Sequence, residues 1–300
     1  MSSPILVAVV TRDRVQALER CITSIRAQTY RGPVRILVVD NDPRRSAESL
    51  CKALNVEYIH EEQTGIPFAR NRAVAAVEAD EDLAFIDDDE QAEPNWLLEL
   101  ARTRDLYDAD AVGGPVVSVF DSPPPEWVEL SGAFERPRRP TGTVVSAVYT
   151  GNILISSRIL RELPPPFFCE RMALTGGSDG YFAKRLALHG YAMVWCDEAV
   201  CYERVPESRV TVAWLLRRSF RIGLNRALID RELELGFEGY RRTAGRGLLD
   251  IAYGTAALAA YGWQGKHQRV RRLRTVVSGL GMLGGLAGFR YDEYRTVHRV

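Results

Sequence analysis

Four consecutive acids, Asp87-Asp88-Asp89-Glu90, follow four apolar residues, Leu83-Ala84-Phe85-Ile86. The apolar run has the length of a short buried strand, and the acids stand where it should end. Side chains alternate faces along a strand, which puts Asp87 and Asp89 on one side if the extended geometry continues. Like charges held this close need a cation or water to compensate. Hard carboxylate oxygens suit Mg2+ or Mn2+, ions that take one or two carboxylates together with substrate phosphates. A solvated acidic turn is the other reading of the same residues.

Two more polar clusters follow apolar runs in the same way. Thr11-Arg12-Asp13-Arg14 comes after Ile5–Val10, and Asp40-Asn41-Asp42-Pro43 after Val34–Val39. The elements needed to position them can be read between. Asp13–Gln28 has helical spacing, with Val15, Leu18, Cys21, Ile22 and Ile25 on one face. Ser46–Leu54 reads as a short helix with Ser46 as its N-cap, Val56–His60 as a third strand, Ile66–Glu78 as a helix, and Pro94–Arg104 as a helix with Pro in its first turn. This strand–helix alternation predicts an α/β domain with a mostly parallel sheet. Ligands of such sheets bind beyond the carboxyl ends of the strands, where all three clusters fall.

Beyond residue 105 the pattern loosens. Ala111–Phe120 reads as one strand and Val148–Ser156 as another, with Thr150-Gly151-Asn152 inside it. Asp121–Arg139, rich in Pro and charge, reads as a long loop of the lid or recognition kind. Thr175-Gly176-Gly177-Ser178-Asp179 opens a helix over Ser178–Leu188. Met193–Cys196 and Ala199–Tyr202 look like short strands, and Val210–Ile229 like a long basic helix carrying Arg217, Arg218, Arg221 and Arg226.

The order and spacing of these clusters resemble the family 2 glycosyltransferases, inverting enzymes of the GT-A fold. Within that family the bacterial exopolysaccharide β-glucosyltransferases of the succinoglycan type are the most similar. The resemblance rests on Val10-Thr11-Arg12-Asp13-Arg14, Val38-Val39-Asp40-Asn41, Gly65-Ile66-Pro67-Phe68-Ala69-Arg70-Asn71, Phe85-Ile86-Asp87-Asp88-Asp89-Glu90, Gly176-Gly177-Ser178-Asp179, and Arg217-Arg218 with Gly223. It implies that Thr11 and Asp40 cradle the base of a UDP-sugar and that Arg14 and Arg70 belong to the nucleotide site. Arg12 stands where many relatives have Tyr. Asp87-Asp88-Asp89 matches the DxD segment. Asp89 would ligate Mg2+ or Mn2+, Asp87 would approach ribose or metal, and Asp88 would complete the nucleotide side while turning away from the ion. Asp179 matches the general base, with Ser178 where relatives often carry Glu. Gly177 and Ser178 beside it, Trp127, Asn152, Arg217 and Arg218 are the expected acceptor contacts. The segment Cys201-Tyr202-Glu203-Arg204 lacks the His some relatives use as a further ligand, leaving Glu203 as a substitute.

The function implied is transfer of a hexose, glucose by preference, from a UDP-sugar to a saccharide or lipid-linked oligosaccharide in extracellular polysaccharide synthesis. A sugar nucleotidyltransferase would favour a Gly-rich loop after the first strand, and Thr11-Arg12-Asp13-Arg14 has none. A non-catalytic membrane-associated subunit of a polysaccharide assembly is the third reading.

The 300 residues, 26% charged and 46% hydrophobic, fit an ordinary globular protein. Residues 1–229 are expected to form the catalytic domain, nucleotide-sugar half 1–105 and acceptor half 106–229, and residues 230–300 a helical extension. The charge is balanced overall, but residues 205–300 hold 17 Lys and Arg against 8 Asp and Glu. Five cysteines without metal-type spacing read as reduced and buried. No signal-peptide pattern opens the chain, so a cytoplasmic location is expected. The uncharged stretches Ile251–Gln264 and Thr275–Phe289 are shorter than a membrane span. With Arg269, Arg271, Arg272 and Arg274 beside them, they read either as an interfacial anchor on anionic lipid at the cytoplasmic face of the inner membrane or as a helical cap on the domain. No nucleic-acid partner is expected.

Overall fold

A computed structural model describes residues 3–291; the expected helical extension therefore runs outside the described residues from 292 onward. In chain order the strands and helices are β1 (Ile5–Thr11), α1 (Val15–Arg26), β2 (Val34–Asp40), α2 (Glu48–Leu54), β3 (Glu57–His60), α3 (Ile66–Ala75), β4 (Asp82–Asp87), β5 (Glu90–Ala92) and α4 (Trp96–Tyr107). They continue with β6 (Ala111–Gly113), β7 (Val116–Phe120), α5 (Glu126–Ser131), β8 (Asn152–Ile155), α6 (Ser157–Glu162), α7 (Ser178–Leu188), β9 (Met193–Trp195) and β10 (Cys201–Val205). Three long helices, α8 (Val212–Glu232), α9 (Gly236–Tyr261) and α10 (Lys266–Leu286), complete the order.

The main sheet has the order β3-β2-β1-β4-β8-β6-β9. Its first four strands are parallel, and β8 runs against both β4 and β6. The expected mostly parallel α/β domain is therefore present. β1 sits in the middle, and its alternate residues feed two cores. Ile5, Val7 and Val9 pack with Leu18 and Ile22 of α1 and Trp96 of α4; Leu6 and Ala8 pack with Ala69 of α3 and Phe182 of α7. Each such apolar side chain contributes about 1.5–3 kcal/mol on burial, so the central strand is a fixed reference for its polar ends. The register then aligns those ends, with Thr11 opposite Asp40 and Val10 opposite Asp87.

Several expectations are corrected. Ala111–Phe120 is two strands in two sheets: β6 joins the main sheet, while β7 joins a smaller one of order β5-β10-β7. The break falls at Gly114-Pro115, and the Pro115 carbonyl accepts from the Asn152 side chain and the Cys201 amide. The long loop before Arg139 contains helix α5. Ser46 does not cap α2. Its hydroxyl accepts the Asp13 N–H instead, and the cap position is Ala47, whose own N–H goes to Asp40. Pro94 lies ahead of the first turn of α4. The four acids also divide: Asp87 ends β4, Asp88 and Asp89 turn, and Glu90 starts β5.

The uncharged tail stretches are parts of two helices of 26 and 21 residues, α9 and α10. With α8 they form a layer packed at glycines. A Cβ on Gly223 would run into the Ser278 carbonyl, and one on Gly281 into that of Phe220. Residue 229 lies inside α8, which continues to Glu232. All five cysteines are unpaired and buried, as expected.

Candidate active site

Beyond the carboxyl ends of β1 and β4 opens a cavity of about 610 Å³, bounded on its other sides by the start of α7 and one face of α8. Eight arginines and five carboxylates line it. Such a balance favours an anionic ligand.

The strand ends are cross-linked. The Thr11 hydroxyl donates to Asp88 Oδ2 at 2.7 Å. Arg14 reaches from the start of α1 to both Asp88 Oδ1 (2.9 Å) and Asp89 Oδ2 (3.0 Å). Burial pushes the Asp88 carboxyl up to about 7; Arg14 opposes this and Asp89 adds to it. The Arg14 guanidinium is itself raised: its burial acts to lower it, and Asp88 and Asp89 outweigh that effect. Behind them Glu90 is fully enclosed, and burial followed by Asp87 and Glu203 drives it well above the usual carboxylate range. Its Oε2 accepts the Asp87 N–H and so holds the end of β4 from inside.

Arg70 links the two halves. It rises from α3, where Gly65 (φ 142°) starts the turn and Pro67 occupies the first helical turn. One guanidinium nitrogen donates to Ser178 Oγ at 3.0 Å, and another lies 3.5 Å from Asp87 Oδ1. The first turn of α7 is thereby tied to the end of β4. Gly176 and Gly177 both take positive φ (76° and 87°) to turn the chain into α7, which points Asp179 into the cavity. The Asp87 carboxyl is raised, first by removal from bulk water, with Asp89, Glu203 and Asp179 adding to the rise against Arg70. Asp87 and Asp179 therefore feel each other across the cavity.

On the far wall Glu203 of β10 is clamped by Arg136 (2.6 Å) and Arg209 (2.9 Å). Arg209 also lies 4.0 Å from Asp89 and stacks 5.8 Å from the Trp214 ring centre. Arg218 lies 5.2 Å from the same ring, and burial lowers its guanidinium to about 10. Arg136, Arg209 and Trp214 carried no local sequence signal.

Thr11, Arg14, Arg70, Asp87, Asp88, Asp89, Gly177, Ser178, Asp179 and Arg218 all reach the cavity. Four expected contacts do not. Asp40 is fully buried, with Oδ1 accepting the Asp42 N–H and Oδ2 accepting the Ala47 N–H and Tyr58 hydroxyl. It shapes the turn after β2, and Asn41 lines the cavity in its place. Asn152 is 2% exposed: its amide donates to the Pro115 and Ala199 carbonyls and accepts from Trp96 Nε1. Trp127 packs under the helical layer near Leu215 and Val270, with Lys266 Nζ 4.3 Å from its ring centre. Arg217 projects from the solvent face of α8.

No three His, Cys, Asp or Glu side chains among the described residues are arranged to hold an ion. Glu203, suggested as a third ligand, has both oxygens on arginines. Asp87 and Asp89 remain, which fits an ion that completes its shell with substrate phosphates and water.

A mostly parallel sheet flanked by helices, with a cavity at its carboxyl edge, is the GT-A fold. The fold is shared with a mannosyltransferase from Pyrobaculum calidifontis solved with GDP-Man and Mn2+ (TM-score 0.62, 18% identity, covering 94% of this chain and 88% of that one). It is also shared with residues 1–349 of TarS from S. aureus solved with UDP (TM-score 0.54, 15% identity, 96% and 93%). The family model for glycosyl transferase family 2 matches residues 6–163, and the chain belongs to that family. The succinoglycan biosynthesis protein ExoM of Rhizobium meliloti is 31% identical over 271 residues, 88% of this chain and 86% of the relative. A glucosyl-dolichyl phosphate glucuronosyltransferase of Haloferax volcanii is 24% identical over 77% of this chain and 78% of its own length.

Proposed function

We propose that this glycosyltransferase moves a hexose, glucose by preference, from a UDP-sugar onto a saccharide hydroxyl during exopolysaccharide synthesis, with inversion at the anomeric carbon. One observation carries the reading. Asp87, Asp88, Asp89 and Glu203 each have an arginine within 4.0 Å, whereas Asp179 has no cationic partner among the described residues. Its Oδ1 accepts the Gly180 N–H at 2.9 Å. Among the described residues it is the one cavity carboxylate not held by an arginine, which is what a general base for an attacking hydroxyl needs.

Thr11, Arg12 and Asn41 bound the part of the cavity that would take the base, and Arg14, Arg70 and Arg209 stand where a diphosphate would need charge. Asp89 and Asp87 would hold Mg2+ or Mn2+, which as a Lewis acid supports a departing diphosphate. Asp179 accepts the proton as the hydroxyl attacks the face of the sugar opposite UDP. Ser178 and Arg70 keep the start of α7 at the distance this requires. The relationship to ExoM supports the polysaccharide context.

The acceptor is proposed to be a lipid-linked oligosaccharide met at the cytoplasmic face of the inner membrane. No helix of the described residues is long and apolar enough to cross a bilayer. The outer face of α9 and the turn after it instead expose Leu248, Leu249, Tyr253 and Trp263, a set suited to an interface.

The test is a screen of UDP- and GDP-sugars with Mn2+, Mg2+ or EDTA and lipid-linked saccharide acceptors. Asp89→Ala and EDTA should each lower transfer from a UDP-hexose by at least about a hundredfold. The product should show the inverted anomeric coupling by NMR. Undiminished transfer in EDTA would remove the metal from the scheme, and a retained configuration would remove Asp179 as base.

A further inference from the structure

A second cavity, of about 850 Å³, lies between α5, the segment following it, and the helices α8, α9 and α10. It adjoins the active site: Arg136, Ile222 and Arg226 line both. Six arginines line this groove against three acids. Arg136 is held by Glu203, Arg138 by Asp197 and Arg246 by Asp250. Arg226 of α8 and Arg271 and Arg274 of α10 have no carboxylate within 4.0 Å among the described residues. Glu129 and Glu135 stand on the α5 side.

Arg274 is the informative one. It is half-buried, and burial lowers its guanidinium below the usual value. Its one side-chain hydrogen bond among the described residues runs from Nε to the buried Ser219 Oγ at 3.4 Å. A fold that keeps a half-buried cation beside a hydroxyl, next to two more unpaired cations, is set up for an anion supplied from outside. Three guanidinium groups lining one groove supply the donors that the oxygens of a phosphate or diphosphate take.

We infer that this groove is an acceptor-side anion subsite, in which Arg226, Arg271 and Arg274 with Ser219 hold the diphosphate that links the acceptor saccharide to its lipid. The inference rests on the function proposed above, because it needs a donor in the first cavity and an acceptor reaching from the second. Arg226, shared by both cavities, stands at their junction. The groove would fix how far the growing end lies from the anchored end, and so which saccharide length places its hydroxyl beside Asp179.

The test measures calorimetric binding of n-undecyl diphosphate to the full chain. Saturating UDP and Mn2+ fill the first cavity, and UDP binding is recorded beforehand. Arg271→Gln and Arg274→Gln are chosen because neither lines the active site, with Arg274→Lys as a conservative variant. The expected result is undecyl diphosphate binding that weakens by about tenfold for each Gln substitution, the scale of a hydrogen bond to a charged group. Arg274→Lys should weaken it less, and UDP affinity should stay unchanged in all three. Normal UDP binding without diphosphate binding would overturn the subsite and leave the proposed function standing. No UDP binding by the wild type would count against the function itself. Glucuronate binding in place of the diphosphate would mean the groove reads a carboxylate. Arg271- and Arg274-dependent binding to phosphatidylglycerol vesicles but not to undecyl diphosphate would mean it reads a surface. Either result overturns the inference.

Discussion

In the first cavity every acid except Asp179 meets an arginine; along α8 and α10, Arg226, Arg271 and Arg274 meet no acid among the described residues. The two regions differ in how they are packed. The strand ends project from a sheet whose central strand is buried on both faces, so their charges sit at the edge of a dry core. Charges there must be paired or neutralised, because desolvating an isolated ion costs several kcal/mol. Arg14 pairs with Asp88 and Asp89, and Arg70 lies beside Asp87. The helical layer is built differently. Its helices meet at Gly223, Gly279 and Gly281, where backbone lies against backbone. Long side chains are thereby displaced to the rims of the layer, where water or a ligand can reach them. The comparison separates charges that build the site from charges left available to act, and each group can be perturbed separately.

The largest effect should come from Asp179, the first-cavity acid without an arginine among the described residues. Asp179→Asn is nearly isosteric and leaves Arg70 on Ser178 and Asp87. Turnover should fall by about a thousandfold, within the range of general-base contributions. UDP affinity measured by calorimetry should change less than about twofold. A matched loss of UDP binding would place Asp179 among the charges that build the site.

The helical layer should fail through packing instead of charge. Gly281→Leu forces a side chain against the Phe220 carbonyl, where only the absence of a Cβ permits contact. Overpacking of this kind costs about 3 kcal/mol, equivalent to roughly 5–10 °C in melting temperature. If the variant melted like wild type, the layer would not be held by close backbone approach.

Asn152 offers a cleaner division between scaffold and substrate contact. Its amide joins β8 to Trp96 of α4 and to the Pro115 and Ala199 carbonyls. Asn152→Ala leaves those buried partners unsatisfied and should cost about 2 kcal/mol of unfolding free energy, read by urea titration. The acceptor KM of the surviving folded enzyme should stay within about twofold.

Much of this arrangement was legible in the sequence. An apolar run followed by a polar cluster states both a strand and its exposed end, and three such pairs in a strand–helix alternation place their ends on one edge. The reading failed where the outcome depends on partners distant in the chain. Nothing around Asp40 indicates that its oxygens turn inward to the Ala47 amide and the Tyr58 hydroxyl. Nothing in Ala111–Phe120 marks the change of sheet except Gly114-Pro115, a signal too short to divide an otherwise apolar run. Arg136 and Arg209 meet Glu203 from separate segments, so neither stands out locally. In the tail, the Gly- and Ala-rich stretches fit an interfacial anchor and a helical cap alike, and nothing in them gives the packing partners: Gly279 lies against Gly247 on α9 and Gly281 against Phe220 on α8.

The smallest contrast is also the sharpest, because it compares neighbours of identical chemistry. Arg217 and Arg218 are consecutive on α8, and one helical step of about 100° separates their directions. Arg217 faces solvent, while Arg218 enters the cavity beside Trp214 and is depressed to about 10 by burial. A cation that remains charged at neutral pH despite that environment has most to gain from an incoming diphosphate. Arg218→Ala should raise the donor KM by about tenfold, the scale of one charge-assisted hydrogen bond, with kcat less affected. Arg217→Ala should leave both constants within about twofold. Trp214→Leu should reproduce part of the Arg218 effect, because the ring is what keeps that guanidinium in place. Equal effects from the two arginines would mean that α8 acts through its overall charge, and the distinction between charges that build and charges that act would not extend to this helix.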